Sequence, residues 1–136
     1  NEQLLTFIYV KDLVRVIYDA TTSRHRNIAY FVTDLNVYTS TEYNALIRQV
    51  LGKKRTLKIK LPIGLVKMLG YVNEKIASLY NRYPALNIEK VNELEAKNWQ
   101  CDTENLVKDL SFVANYDLEQ GLSESISWYR HHHWLN

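Results

Sequence analysis

The sequence predicts a small α+β domain that is mainly helical and has about three short strands. Residues with high β-propensity are concentrated at 6–10 and 28–32, and residues 57–61 alternate between apolar and polar with the period of a strand. Six longer stretches instead repeat apolar residues with the period of an α-helix, and most of them follow a residue that commonly caps helices. The 136 residues suit one domain, so we expect a single domain over 1–136.

The first two helices are expected to follow the first two strands. A helix led by Asp12 comes after the strand at 6–10, because its apolar residues recur at helical spacing. The next helix is preceded by Thr39 and Glu42, whose types and spacing fit a capping box. Gly52 is well suited to the C-terminal end of this second helix.

The remaining four helices lie in the second half of the chain. The longest is expected over 62–80, and its wide apolar face predicts that it is buried against another layer. Asn87, Asp102 and Asp117 are residues of the types that cap helices, so each is expected to start one of the three shorter helices. The last helix runs to about Tyr129.

Composition excludes several classes of partner. The net charge is +2 with scattered basic residues, so we expect neither nucleic acid nor an anionic membrane surface as a partner. No apolar run approaches the ~20 residues that a membrane-spanning helix needs. The chain has one cysteine, Cys101, which excludes an internal disulfide and predicts a reducing, cytoplasmic location. We expect this cysteine to be a small buried residue.

No motif in the sequence predicts a complete catalytic, cofactor or metal site. The four glycines form no nucleotide-binding pattern, so this chain alone is expected to bind no cofactor. Tyr71 and Lys75 match Tyr-x-x-x-Lys, but with ten tyrosines present the pair is better explained by packing. The three histidines at 131–133 point about 100° apart on a helix, which favours a polar helix end over a metal site. Glu119 and Glu124 are interpreted as a solvated helix face.

Four segments resemble, in the same order, the C-terminal part of the NAD-dependent epimerase/dehydratase family, the extended short-chain dehydrogenases. Residues 6–13 resemble that family's aromatic-Ile-His-Val-x-Asp-Leu entry into a helix, and residues 30–43 resemble its next strand and helix. Residues 99–112 resemble a segment with tryptophan, Asp-x-x-Lys and Leu-Gly-Phe. Residues 121–130 resemble its closing Gly-Leu…Trp-Tyr helix.

This resemblance implies a C-terminal substrate-binding lobe, commonly for a sugar nucleotide. An N-terminal Rossmann domain would hold NAD or NADP and supply the catalytic residues, and it would lie before Asn1. The chain alone is then expected to be inactive, to take a small-molecule substrate, and to have that Rossmann domain as its partner. Because its docking surface would be bare, self-association through the 62–80 helix is expected.

Five residues are the candidate substrate contacts that the resemblance implies. Tyr9 and Lys11 lie near the end of the first predicted strand, and because strand side chains alternate, at most one of them is expected to face the ligand. Lys97, Asn98 and Trp99 precede the penultimate helix. The Trp99 ring is expected either to stack on a sugar or base or to pack in the core.

The chain also departs from the family at positions that matter for a phosphate. Leu5 and Thr6 stand where sugar-nucleotide epimerases often place an arginine. Asn105 replaces the usual lysine, and Ser111 replaces the usual glycine. Without a bidentate clamp, a less charged substrate becomes an alternative, as in sterol- and flavonol-reductase branches. A non-enzymatic binding module is a further alternative.

Overall fold

The computed structural model describes residues 2–54, 61–80, 84 and 86–135. These residues contain six helices and one two-stranded antiparallel sheet, which confirms a mainly helical α+β fold. All of the third predicted strand except Leu61 lies outside the described residues. In chain order the elements are β1 (Leu4–Leu5), α1 (Val10–Thr22), β2 (Tyr38–Thr39), α2 (Ser40–Leu51), α3 (Ile63–Leu79), α4 (Ile88–Glu95), α5 (Glu104–Leu110) and α6 (Leu118–His131).

These elements fall into two compact units, which we describe separately. The first unit comprises Asn1–Arg55 and Asn98–Asn136, and the second comprises Thr56–Lys97. The first unit therefore contains the sheet and helices α1, α2, α5 and α6. Helices α3 and α4 belong to the second unit.

The sheet joins three distant parts of the first unit at Leu4. β1 runs antiparallel to β2, with Leu4 opposite Thr39 and Leu5 opposite Tyr38. Leu4 also forms a parallel bridge to Asn98. The start of the chain is therefore fixed by backbone hydrogen bonds to two later segments.

The predicted strands at 6–10 and 28–32 are wrong. Helix α1 already begins within the first run, and the described backbone of the second run belongs to no ladder. Both runs contribute to burial instead, because Ile8 and Tyr30 pack against the core that Val16, Leu106 and Phe112 form. Their β-branched and aromatic residues therefore reflect contact with the core rather than strand pairing.

Capping boxes start two of the helices, and the capping residues of both, Thr39 and Asp117, are as predicted. The Thr39 hydroxyl accepts a 3.1 Å bond from the Glu42 N–H, and the Glu42 carboxylate accepts a 2.7 Å bond from the Thr39 N–H. This backbone bond lowers the pKa of Glu42. Asp117 and Gln120 form a second capping box at α6. Gly52 ends α2 with a left-handed backbone (φ 69°), which confirms its predicted role.

The shorter helices follow the prediction with one shift. The Asn87 side chain caps α4 as predicted. The predicted cap at Asp102 is wrong by one residue: Thr103 is the N-cap of α5, and the Asp102 carboxylate accepts a 2.9 Å bond from the Glu104 N–H. Ser111 ends α5 with a left-handed backbone (φ 49°), a conformation that favours glycine.

Helix α3 packs on α4 inside the second unit through a small contact. A Cβ on Gly70 would lie 3.2 Å from Val91 Cγ2, and Lys67 forms a 2.8 Å ion pair with Glu95. Gly70 and Ala77 are the buried residues of α3. The predicted burial of this helix is therefore wrong for most of its length, since many of its large apolar residues are exposed: Ile63, Leu65, Met68, Leu69, Tyr71, Val72, Ile76 and Leu79.

A buried carboxylate fixes the first helix to the loop that precedes the last one. Asp12, in the first turn of α1, is 1% exposed. Its Oδ2 accepts bonds from the backbone N–H groups of Asn115 (2.9 Å) and Tyr116 (3.0 Å), and its Oδ1 accepts one from Arg15 (2.9 Å). Arg15 also donates to the Val113 carbonyl. Asp12 and Arg15 together hold the loop immediately before α6.

The Tyr38 hydroxyl, held by a second buried carboxylate, connects β2 to the start of α6. Asp34 is 3% exposed and accepts a 2.5 Å bond from the Tyr38 hydroxyl. The same hydroxyl accepts a 3.3 Å bond from the Leu118 N–H. Burial, followed by the hydrogen bond to Asp34, raises the pKa of Tyr38 to about 12. The phenol therefore stays protonated and keeps donating at neutral pH.

Replacing Asp12 should destabilise the first unit more than replacing Asp19, the other acidic residue of α1. Asp12→Ala leaves Arg15 and two backbone N–H groups without their buried acceptor, which should cost about 3–5 kcal/mol. Asp19→Ala removes the same charge from a half-buried position of the same helix and should cost less than about 1 kcal/mol. Urea unfolding monitored by tryptophan fluorescence measures the loss of stability in both variants, because all three tryptophans lie in the first unit. Equal losses in the two variants would contradict the role of Asp12.

Candidate functional site

Three side chains from α6 and the start of α1 meet at one carboxylate oxygen. The Tyr9 hydroxyl donates a 2.7 Å bond to Glu124 Oε2, and Lys11 Nζ donates a 2.5 Å bond to the same atom. The strand geometry on which we expected at most one of Tyr9 and Lys11 to face the ligand is wrong, because both side chains reach the same oxygen. Since α1 begins at Val10, the alternation of a strand does not apply between them.

Aromatic rings surround the ammonium group in this cluster. The rings of Tyr9 and Tyr116 pack with centroids 4.8 Å apart and planes 51° apart. Lys11 Nζ lies 5.3 Å from the Tyr116 centroid and 5.8 Å from the Tyr9 centroid. These distances are in the range of cation–π attraction. Because Asp12 binds the backbone N–H of Tyr116, the buried carboxylate also positions one wall of the site.

A glycine allows α6 to approach Tyr9 closely. A Cβ on Gly121 would lie 3.0 Å from Tyr9 Cδ2 and 3.3 Å from Tyr9 Cβ, which is tighter than ordinary side-chain packing. Glu124 follows three residues later, on the same side of the helix. The absence of a side chain at Gly121 therefore sets the distance at which Glu124 meets Tyr9 and Lys11.

The protonation states of the cluster depend on one another. Hydrogen bonds from Lys11, and then from Tyr9, lower the pKa of Glu124. The hydrogen bond to Glu124 raises the pKa of both Lys11 and Tyr9. At neutral pH the cluster therefore holds a carboxylate, an ammonium and a neutral phenol. The Lys11 and Glu124 side chains are 55% and 41% exposed, so a ligand in water can reach both.

An open cleft of about 430 Å³ lies beside this cluster. It offers carboxylate and phenol oxygens as acceptors, the remaining ammonium N–H groups as donors, and aromatic surface, which together suit a small hydroxylated molecule. The Trp128 ring packs on Tyr129, but the residue is 51% exposed and borders the cleft. The lining residues are Tyr9, Val10, Lys11, Glu124, Ser125, Trp128 and Tyr129.

The structure does not bring the other three candidate residues into this lining. The Trp99 N–H donates to the Leu4 carbonyl (2.9 Å), and the Thr6 hydroxyl donates to the Trp99 carbonyl (2.7 Å). Trp99 and Asn98 therefore hold the start of the chain through their backbones. The Trp99 side chain remains 42% exposed, which argues against the core-packing alternative. Lys97 is exposed and belongs to the second unit.

Glu124 is the site residue that the sequence interpretation missed. The sequence predicts a solvated helix face here, whereas the Glu124 carboxylate accepts hydrogen bonds from both Tyr9 and Lys11. A local signal was available, because the Asp117 capping box fixes where α6 begins. From that start, helical spacing places Gly121, Glu124 and Trp128 on one face. No local pattern indicated that Tyr9 would lie against this face.

The other chemically suggestive residues form no site. Lys75 Nζ lies over the ring of Tyr71, 5.4 Å from its centroid, rather than at its hydroxyl. The expected burial of Cys101 is wrong, since this residue is exposed. α6 ends at His131 as expected for a polar helix end, and His132 stacks on Trp128 with centroids 4.0 Å apart.

Metal-binding and membrane-spanning features are absent from the described part of the chain. Among residues 2–54, 61–80, 84 and 86–135, no three His, Cys, Asp or Glu side chains are grouped so as to hold a metal ion. No helix within the same ranges has the length and apolar character needed to cross a bilayer.

Comparison with known proteins identifies the fold but no family. Neither a family model nor a curated protein matches this chain. A solved structure described as the crystal structure of gox2253 is similar, with a TM-score of 0.67 and 16% sequence identity. The similarity covers 99% of this chain and 40% of that one, so this chain spans less than half of its length. At this identity the likeness shows a shared fold.

Enlarging Gly121 should disturb the site specifically. In Gly121→Ala the new methyl group pushes the Tyr9 ring away from α6, which should cost about 1–3 kcal/mol and weaken the Tyr9–Glu124 bond. Gly64→Ala is the matched control, because a Cβ there meets nothing within 4 Å and alanine favours a helix. Thermal unfolding by circular dichroism compares the two variants. A Gly121→Ala protein as stable as Gly64→Ala would show that the close approach is not needed.

Proposed function

We propose that this chain is the substrate-recognition lobe of an NAD(P)-dependent epimerase/dehydratase of the extended short-chain dehydrogenase class. The observation that supports this most strongly is the meeting of Tyr9, Lys11 and Glu124 at an open cleft. The three residues come from 6–13 and 121–130, two of the segments that carry the family resemblance. The proposed role of the cleft is to bind and orient the substrate.

In this proposal the hydride chemistry belongs to another domain. NAD or NADP and the catalytic residues would reside in an N-terminal Rossmann domain, and this chain alone would be inactive. The similar solved structure is compatible with such an arrangement, because its matching region makes up 40% of a longer chain. The exposed thiol of Cys101 is compatible with the cytoplasmic location that we propose.

The first candidate substrate is a sugar nucleotide, and the cleft chemistry suits its hydroxyl groups. The Glu124 carboxylate and the Tyr9 oxygen can accept from sugar hydroxyls, while the remaining N–H groups of Lys11 can donate to them. The half-exposed Trp128 ring offers a surface on which a sugar can stack. Several directed contacts on one ring would fix its orientation toward a reacting group supplied by the other domain.

An uncharged substrate is the second candidate, and two observations favour it. Lys11 is paired with Glu124, so its charge is compensated. Leu5 lies in β1, and the Thr6 hydroxyl donates to the Trp99 carbonyl, so neither supplies the cation that a diphosphate needs. A substrate of the kind used by sterol- or flavonol-reductases would not require that cation.

The coding sequence upstream of Asn1 gives the first test of this proposal. We expect a strand followed by a glycine-rich turn, and later a Tyr-x-x-x-Lys sequence. The longer protein should then convert at least one member of a panel of sugar nucleotides and hydroxy ketones in the presence of NAD or NADP. An unrelated upstream sequence, or no conversion of any panel member, would favour a non-enzymatic binding module.

Variants of the longer protein test whether the cleft is the recognition site. Glu124→Ala should lower kcat/KM by about 10–100-fold, mainly through KM, because uniform substrate binding is lost. Lys108→Met is the control, since Lys108 is exposed on α5 and lies outside the cleft lining. Its kcat/KM should stay at the unsubstituted value. Equal values of kcat/KM for the two variants would show that this cleft is not the recognition site.

A further inference from the structure

We propose that Glu124 determines the charge preference of the cleft: by compensating Lys11, it makes the cleft select an uncharged hydroxylated ring and reject a phosphate group. This inference rests on the proposed function and deepens it. A sugar-nucleotide substrate would place its sugar here and its diphosphate elsewhere. A substrate without phosphate would place a hydroxylated ring here.

The geometry of the ion pair carries the first step. Lys11 Nζ lies 2.5 Å from Glu124 Oε2, so an incoming anion would have to compete with a carboxylate already in contact. The Tyr9 hydroxyl donates to the same oxygen at 2.7 Å, which commits the second donor of the cluster as well. An arriving phosphate could therefore reach the remaining N–H groups of Lys11 only beside the like charge of Glu124.

The rest of the lining does not restore an anion site. Among the described residues that line the cleft, Lys11 is the single cation. The N-terminus of α1, which begins at Val10, would by itself attract an anion. However, the first turn of that helix contains the Asp12 carboxylate, whose negative charge opposes an anion there although its hydrogen bonds go to Arg15 and the loop before α6. Lys11, the other positive feature of the cleft, is matched by Glu124.

The remaining lining favours a neutral ring that carries hydroxyl groups. The Trp128 side chain is half exposed, and its stacking on His132 at 4.0 Å helps to fix its orientation. A carboxylate beside an aromatic ring can accept hydrogen bonds from hydroxyl groups while the ring covers the C–H face of the same molecule. Glu124 and Trp128 offer that combination.

Binding of two simple probes to the 136-residue chain tests the inference. The probes are methyl glucopyranoside, a neutral hydroxylated ring, and inorganic pyrophosphate. The measurement is the change in the Trp128 indole N–H signal in a nuclear magnetic resonance titration, with the signal assigned through Trp128→Phe. In the unsubstituted chain the glycoside should shift this signal and pyrophosphate should not.

Glu124→Gln should reverse this preference. It should bind pyrophosphate at least about tenfold more tightly than the unsubstituted chain, because Lys11 loses its counter-charge, and it should bind the glycoside more weakly. Glu119→Gln is the matched control, because it makes the same charge change on the same helix. Gln49 Nε2 donates a 2.6 Å bond to Glu119 Oε1, and the amide oxygen of the variant can still accept that bond. The control should keep the original preference.

Three results would overturn the inference. They are pyrophosphate binding by the unsubstituted chain, equal gains in Glu124→Gln and Glu119→Gln, and no response to the glycoside. None of these results depends on hydride chemistry, so they are distinguishable from failure of the proposed function. If the longer protein converts sugar nucleotides but the cleft gives one of these three results, the proposed function is supported and the role proposed for Glu124 is wrong.

Discussion

The buried carboxylate of Asp12 is the interaction on which the first unit depends. It accepts hydrogen bonds from two backbone N–H groups of the loop at 113–116 and one from the Arg15 side chain. Each bond in this set is made to a charged group away from water, where hydrogen bonds are strong and their loss is costly. The bonds fix where α6 starts relative to α1. The positions of Tyr9 and Lys11 relative to Glu124 follow from that placement.

The candidate site is therefore a consequence of how two helices are joined. Tyr9 precedes α1 and Lys11 lies in its first turn, while Glu124 is in the second turn of α6. Gly121 removes the one side chain that would hold the helix away from Tyr9. The result is a cluster whose charges balance next to an open cleft. Such a cluster is better suited to orienting a polar molecule than to holding a strongly charged one.

Local features of the sequence allowed much of the fold to be predicted. The capping residues Thr39, Asn87 and Asp117 were recognised because caps act on their own helix within three residues. The strands predicted at 6–10 and 28–32 are wrong, because in sequence a β-branched run that is buried against a core looks the same as a paired strand. Leu4 pairs with Thr39 and Asn98, and those partners are fixed by tertiary contacts rather than by its own neighbours.

The site was predictable only in part, for the same physical reason. Tyr9 and Lys11 were named from the resemblance, but Glu124 lies 115 residues from Tyr9 in sequence. No periodicity connects residues at that separation. The helix start at Val10, which turns Tyr9 and Lys11 toward one another, also differs from the strand that the sequence predicted.

The most direct test is to measure the carboxyl pKa of Glu124 by nuclear magnetic resonance in the unsubstituted, Lys11→Met and Asp12→Asn chains. In the unsubstituted chain we expect the pKa of Glu124 to lie below its ordinary value of 4.5. The cluster is then fully formed above pH 4.5, and it is lost as the pH falls through the lowered pKa. In both variants the pKa should rise toward 4.5, because one loses the cation and the other loosens the placement of α6. A Glu124 that titrates at its ordinary pKa in the unsubstituted chain, or is unchanged in Lys11→Met, would contradict the cluster as described.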